Sequence, residues 1–408
     1  MLRLDGHEGV WSEFARRGRA GCTASVAAHF KAENRVWEEI MCQLCSMMRH
    51  HFTGAIRARA RRRIDARSLS GKMGAEGDGH SGGIAVEPVI IGSGNHRYRV
   101  VEGWGELPEG MRFVDVAAVC VDSKDQVYVF NRGTDPVIVF DSQGRYLRSW
   151  GQDIGFTRAH GAAIGPDDLL YLTDDEGHSV RKCTTEGKVL MTIGMPNQPA
   201  PRFSGDPFNL CTHTALSPQG EIYVSDGYQN ARVHKYSPDG KLMLSWGEPG
   251  TAPGEFNLVH NIACDDDGWV YVADRENHRV QVFDGNGKYQ CQWNNLARPC
   301  GLFVSRGKNP LAIIGELGPE AVSMFSRDAP NLGPRVTIVD AQKGEILAYV
   351  GTRPLGEEPG QFIAPHGIAT DSRGDIYVAE VSNTYWPILF GSKPDHELRS
   401  LQKLVRVT

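Results

Sequence analysis

The sequence predicts an all-β fold, a six-bladed β-propeller, on three observations. A unit of about 45–50 residues recurs from Tyr98 onward, glycine is abundant at 47 of 408 residues, and short runs of alternating apolar and polar residues are separated by Asp-Gly and Gly-Lys turns. The tyrosine of each Tyr-Val run acts as a ruler. Tyr128, Tyr171, Tyr223, Tyr271 and Tyr377 stand 43, 52, 48 and 106 residues apart. The last interval is two units long, so a degenerate unit lies between, around Leu311 to Val350. Six units follow, each able to form four antiparallel strands, which is enough to close a ring. The closure is also legible. Tyr98 to Gly105 reads as the last strand of a unit, because it ends in Trp-Gly as other units do at Trp150-Gly151 and Trp246-Gly247. The sixth unit ends early, at Leu401 to Val407. The N-terminal strand is therefore expected to complete the sixth blade and hide two sheet edges.

These boundaries divide the chain into a basic extension with a Gly/Ser-rich linker over residues 1–95, expected to be largely disordered, and a propeller over residues 96–408. The two parts differ in charge. The first 72 residues carry a net of +7, which leaves −12 for the rest of a chain whose net is −5. Val36 to His51 reads as an amphipathic helix and Arg57, Arg59, Arg61, Arg62 and Arg63 as a solvated basic run. The pair Cys42 and Cys45 with His50 and His51 lacks the spacing of a zinc finger and reads as part of the helix. Nine scattered cysteines argue against a disulfide framework and for a reducing compartment. The sequence has no apolar run long enough to span a membrane and no signal-peptide core, so a cytoplasmic protein without a membrane partner is expected. A pI near 6.3 gives no reason to expect nucleic-acid binding.

The ruler also locates the propeller axis. Eleven residues before each tyrosine is the start of an innermost strand, beside the central channel. That position holds Ala117, His160, Thr212, His260 and His366, and Cys300 takes it in the degenerate unit because Arg298-Pro-Cys300-Gly parallels Ala364-Pro-His366-Gly. Histidines thus fall on blades 2, 4 and 6, about 120° apart around a six-fold ring. Three neutral imidazoles converging with an open position are the ligand set of a catalytic zinc. The bland reading is polar residues at a channel mouth, which does not explain one shared phase on alternate blades. His213, one residue out of phase, is expected to point elsewhere. The loop after each Tyr-Val strand returns to the same mouth, bringing Arg132, Arg275 and Tyr228. Two guanidinium groups suit a carboxylate. A phenol between a divalent cation and arginines is expected to have a lowered pKa and to serve as a base. Taken singly, each of these is as easily a salt bridge or a packing residue.

Four segments carry a family resemblance: Ser225–Lys241 (SDGYQNARVHKYSPDGK), Ala273–Phe283, Ala364–Glu380 and Val129–Gly133. They are similar to the peptidyl-α-hydroxyglycine α-amidating lyases, NHL-repeat propellers, over roughly Val101 to Val407. The resemblance implies zinc on His160, His260 and His366, a catalytic tyrosine at Tyr228 and substrate arginines at Arg132 and Arg275. It implies cleavage of an N-acyl-α-hydroxyglycine, as a small molecule or peptide, into an amide and glyoxylate. Two features depart from the family. Its structural calcium uses an aspartate directly after the last zinc histidine, and Gly367 stands there. Its disulfides do not carry over, since Cys211 faces Gln229 at the partner position, in keeping with an intracellular relative. Two alternatives remain beside the lyase: a metal-dependent hydrolase of lactonase type, disfavoured because no carboxylate occupies the ring positions, and a non-catalytic NHL scaffold without metal.

Overall fold

The computed structural model describes residues 87–319, 326, 329, 332–352 and 354–407. The basic run, the helix expected over Val36 to His51 and the Cys42/Cys45 pair lie outside the described residues. Blades 1, 4 and 6 share a local device at the end of the innermost strand. In blade 1, Asp122 follows the innermost strand Val116–Val121, and its Oδ1 accepts the N–H groups of Lys124 and Gln126 at 2.9 and 2.8 Å. Its Oδ2 accepts the Tyr128 hydroxyl at 3.0 Å, and Asp265–Tyr271 and Asp371–Tyr377 repeat the contact at 2.7 and 3.2 Å. The carboxylate closes the turn and anchors the ruler tyrosine, so the tyrosine marks register rather than function.

Six four-stranded units result. Blade 1 is Val116–Val121, Val127–Asn131, Val137–Phe140 and Tyr146–Trp150; blade 2 is Ala159–Ile164, Leu170–Asp174, Ser179–Cys183 and Val189–Gly194. Blade 3 is Cys211–Leu216, Ile222–Asp226, Arg232–Tyr236 and Leu242–Trp246; blade 4 is Val259–Cys264, Val270–Asp274, Arg279–Phe283 and Tyr289–Trp293. Blade 5 is Pro299–Val304, Leu311–Glu316, Arg335–Asp340 and Glu345–Val350. Blade 6 takes Pro365–Thr370, Ile376–Glu380 and Leu401–Val407 from one end of the propeller and His96–Val101 from the other. The closing pairing runs antiparallel from Arg97 opposite Val407 to Val101 opposite Lys403, with the Trp104 ring 4.9 Å from that of Tyr377. A fifth strand, Ile90–Ser93, extends this sheet upstream of residue 96.

The core lies between blades. Six apolar clusters each join two neighbours, and five of them hold one ruler tyrosine each, Tyr128 between blades 1 and 2, for example, and Tyr377 between blades 6 and 1, while the cluster between blades 5 and 6 holds Ile313 instead. Opposite the five tyrosines stand Cys120, Ala163, Ala215, Ala263 and Ala369. Blade 5 reverses the sizes, with Ile313 opposite Phe303, so the same space is filled from the other strand.

Candidate metal centre

In every blade the register between the first two strands slips at one point: between Val116 and Ala118, Ala159 and Gly161, Cys211 and His213, Val259 and Asn261, Pro299 and Gly301, and Pro365 and Gly367. The residue skipped is Ala117, His160, Thr212, His260, Cys300 or His366. Each is the unpaired residue of a β-bulge, whose kink turns its side chain out of the sheet and frees its carbonyl from the ladder.

Both consequences are used. The imidazoles of His160, His260 and His366 meet with ring centroids 4.7 to 5.0 Å apart, and their candidate ligand atoms all lie within 4.8 Å of one another. All three rings are buried, at 5% exposure or less. Each Nδ1 lies on a carbonyl of the following blade: His160 on Thr212 at 2.7 Å, His260 on Cys300 at 2.9 Å and His366 on Ala117 at 2.6 Å. A carbonyl only accepts, so Nδ1 carries the hydrogen and Nε2 presents its lone pair. Burial, with the charges of Arg132 and Arg275, holds all three well below the ordinary imidazole pKa, so the rings stay neutral.

Tyr228 reaches the same point. Its hydroxyl lies 3.0 Å from His160 Nε2 and 3.1 Å from His260 Nε2. Gly227 makes this possible, since a Cβ there would stand 1.7 Å from the Val259 carbonyl oxygen. Three imidazole lone pairs and a phenol oxygen therefore face one another with one phenolic hydrogen among them, an arrangement that a cation satisfies. The donor set fits a zinc ion. In the metal-free protein burial pushes the phenol pKa up to about 12, against the pull of the Arg275 and Arg132 charges.

The Arg275 guanidinium lies over the Tyr228 ring, 5.6 Å from its centroid. Arg132 stands on the same face, donating from Nε to the Ala159 carbonyl at 3.0 Å and from Nη1 to Thr384 Oγ1 at 3.1 Å. His213 stays outside the cluster and lines the channel beyond it, in a cavity of about 650 Å³. At Gly367 a Cβ would meet Ala118 Cα at 2.7 Å and the Ala117 carbonyl oxygen at 3.1 Å. This backbone has no room for the aspartate of the family's calcium site.

Several neighbours escape the sequence reading. Asp175 stands four residues past Tyr171, in phase with Arg132 and Arg275, and its Oδ2 is 4.0 Å from His160 Nε2. Arg158 clamps it through Nε at 2.9 Å and Nη2 at 2.5 Å. Arg298 and Glu276 pair at 2.8 Å. The helix Ser382–Phe390, inserted after the second strand of blade 6, sets Thr384 and Tyr385 over the mouth and packs into a cluster that contains Ala117 and Cys300. Among the described residues no helix is long and apolar enough to cross a membrane.

Residues 256–283 match the NHL repeat model. Human NHL repeat-containing protein 3 is 30% identical over 305 residues, covering 70% of this chain and 81% of that protein. Peptidyl-α-hydroxyglycine α-amidating lyase 1 of Drosophila melanogaster is 31% identical over 256 residues, 59% of this chain and 45% of the lyase. Among solved structures, a gluconolactonase from Xanthomonas campestris superposes with a TM-score of 0.51 at 11% identity, over 79% of this chain and 95% of that one, a likeness of fold alone. The chain thus belongs to the NHL-repeat propeller family that includes NHL repeat-containing protein 3 and the peptidyl-α-hydroxyglycine α-amidating lyases.

Proposed function

We propose that the protein is a zinc-dependent carbon–nitrogen lyase that cleaves an N-acyl-α-hydroxyglycine, or a related α-hydroxy amide, to an amide and glyoxylate. The observation that carries this is the convergence of three neutral Nε2 lone pairs and the Tyr228 oxygen, 3.0 and 3.1 Å from two of them, on one point of the axis. A zinc ion held by His160, His260 and His366 would supply the positive charge that acidifies both the carbinol hydroxyl and the Tyr228 phenol. The Tyr228 oxygen takes the carbinol proton. The electron pair of that O–H bond forms the aldehyde C=O as the C–N bond breaks, and the amide nitrogen receives the proton back. Arginine on the same face holds the carboxylate and opposes movement of the reacting carbon. The all-imidazole ring disfavours a lactonase, and the unpaired Cys211 supports a reducing, cytoplasmic setting.

The test is release of glyoxylate and benzamide in equal amounts from α-hydroxyhippurate by the zinc-loaded protein. Tyr228→Phe should slow release by about 10²-fold or more with zinc retained. Full zinc occupancy with no glyoxylate would remove the lyase, and an unchanged rate in Tyr228→Phe would remove the phenol from the reaction.

A further inference from the structure

The central channel continues past the ring of His160, His260 and His366 to the face opposite the mouth. It is lined by the far ends of the innermost strands and by the hairpins that follow them, and by none of Tyr228, Arg132, Arg275 or the inserted helix. One side chain from each blade stands four residues past the bulge: Val121, Ile164, Leu216, Cys264, Val304 and Thr370. Only Thr370 bears a hydroxyl and none bears a charge. They form an apolar collar, separated from the histidine ring by about 13 Å of strand.

One polar ring stands between the two. His213 directly follows its bulge, at the place that Gly161, Gly301 and Gly367 hold in blades 2, 5 and 6. Gly161 makes room for it, since a Cβ there would stand 2.6 Å from His213 Nδ1. The backbone N–H of His213 donates to Ser225 Oγ at 3.0 Å, and its carbonyl accepts from that hydroxyl at 3.2 Å. Among the described residues the ring itself has no hydrogen-bond partner, although it lines the cavity. Every protonation state leaves an imidazole at least one N–H to satisfy, and leaving it unmet is costly. The ionised side chains at the opening balance. Asp122, Asp125 and Asp371 stand against Arg306, Arg373 and Arg406, so neither an anion nor a cation is selected. About 650 Å³, an apolar wall and one inward polar group have the size and composition of a small-molecule site.

We propose that this channel binds a neutral aliphatic alcohol, which enters from the face opposite the metal centre, lays its chain in the collar and sets its hydroxyl on His213. A hydroxyl both donates and accepts, so it serves either tautomer of the ring. A carboxylate or ammonium in that position would lose its water with no opposite charge to replace it. The site shares no residue with the lyase reading and does not depend on it.

Octan-1-ol is the probe, added to the full chain. Cys264, in the collar, reports occupancy through its rate of alkylation by iodoacetamide, and Cys291, exposed on the outer strand of blade 4, is the internal control. Octan-1-ol at about ten times its Kd should slow alkylation of Cys264 about 10-fold, read by mass spectrometry of the peptides, and leave Cys291 at its former rate. Octanoate should bind about 10-fold more weakly, because its charge cannot be buried beside His213. His213→Phe, which keeps a ring without nitrogens, should weaken octan-1-ol about 5-fold, the worth of one neutral hydrogen bond. Thr370→Glu, which sets a carboxylate in the collar, should weaken it about 10-fold and keeps the test open if the phenylalanine variant does not fold. Cys264 alkylation unchanged by octan-1-ol, equal protection by octanoate, or an affinity unaltered in the folded variants overturns the proposal and leaves a channel that holds water alone.

Discussion

Acidification of the chelated protein tests whether the three imidazoles are held neutral by the fold. In the unfolded chain a histidine with pKa about 6.5 is about one-tenth protonated at pH 7.5 and about nine-tenths protonated at pH 5.5. In the folded chain His160, His260 and His366 stay neutral across that interval, because burial and the charges of Arg132 and Arg275 hold them well below 6.5. Each then costs about 1.4 kcal/mol of stability on going from pH 7.5 to 5.5, or about 4 kcal/mol for the three. Since the folded values are depressed, this stability is complete above pH 6.5 and is lost as the pH falls towards the folded pKa values. His213, pushed down to about 4 by burial, adds about 1.4 kcal/mol. Urea unfolding of EDTA-treated protein at the two pH values measures the total, and His213→Ala should reduce the loss by about one quarter. A total loss below about 1 kcal/mol would mean that the imidazoles titrate as solvent-exposed groups do, and the neutral-donor account of the metal centre would fail.

Three substitutions probe the phase of the ring and the missing carboxylate. His260→Ala should bring zinc, read by elemental analysis, well below one per chain, whereas His213→Ala should retain it; equal loss would contradict the separation of His213 from the cluster. Gly367→Asp should destabilise the protein by about 1–3 kcal/mol through overpacking against Ala118, and a gain in melting temperature on adding calcium would refute that reasoning.

What the sequence revealed depended on side chains that repeat in phase. The ruler tyrosines were visible because each faces a small residue and three are tied to a turn aspartate, and His160, His260 and His366 were visible as departures from that repeat. Blade 5 stayed faint because Ile313 and Phe303 exchange the large and small positions, and because Cys300 to Ile313 is two residues longer than the equivalent span elsewhere. The Nδ1 acceptors could not be read at all, since the carbonyls of Thr212, Cys300 and Ala117 belong to backbone that any residue supplies. Tyr385 was hidden in an insertion without counterpart in the ruler. Burial of the Tyr228 phenol, which opposes the pull of the neighbouring arginine charges, was equally out of reach.

The hydrogen bond from each histidine to the carbonyl of the next blade gives the ring a parity. The sequence repeats once per blade, whereas the centre repeats once per pair, an imidazole member followed by a carbonyl member. A ring that gained or lost a single blade would break this alternation at one seam, and the three imidazoles would no longer stand about 120° apart. Trigonal convergence of the three donors is therefore a property of the whole six-membered ring and not of any single blade.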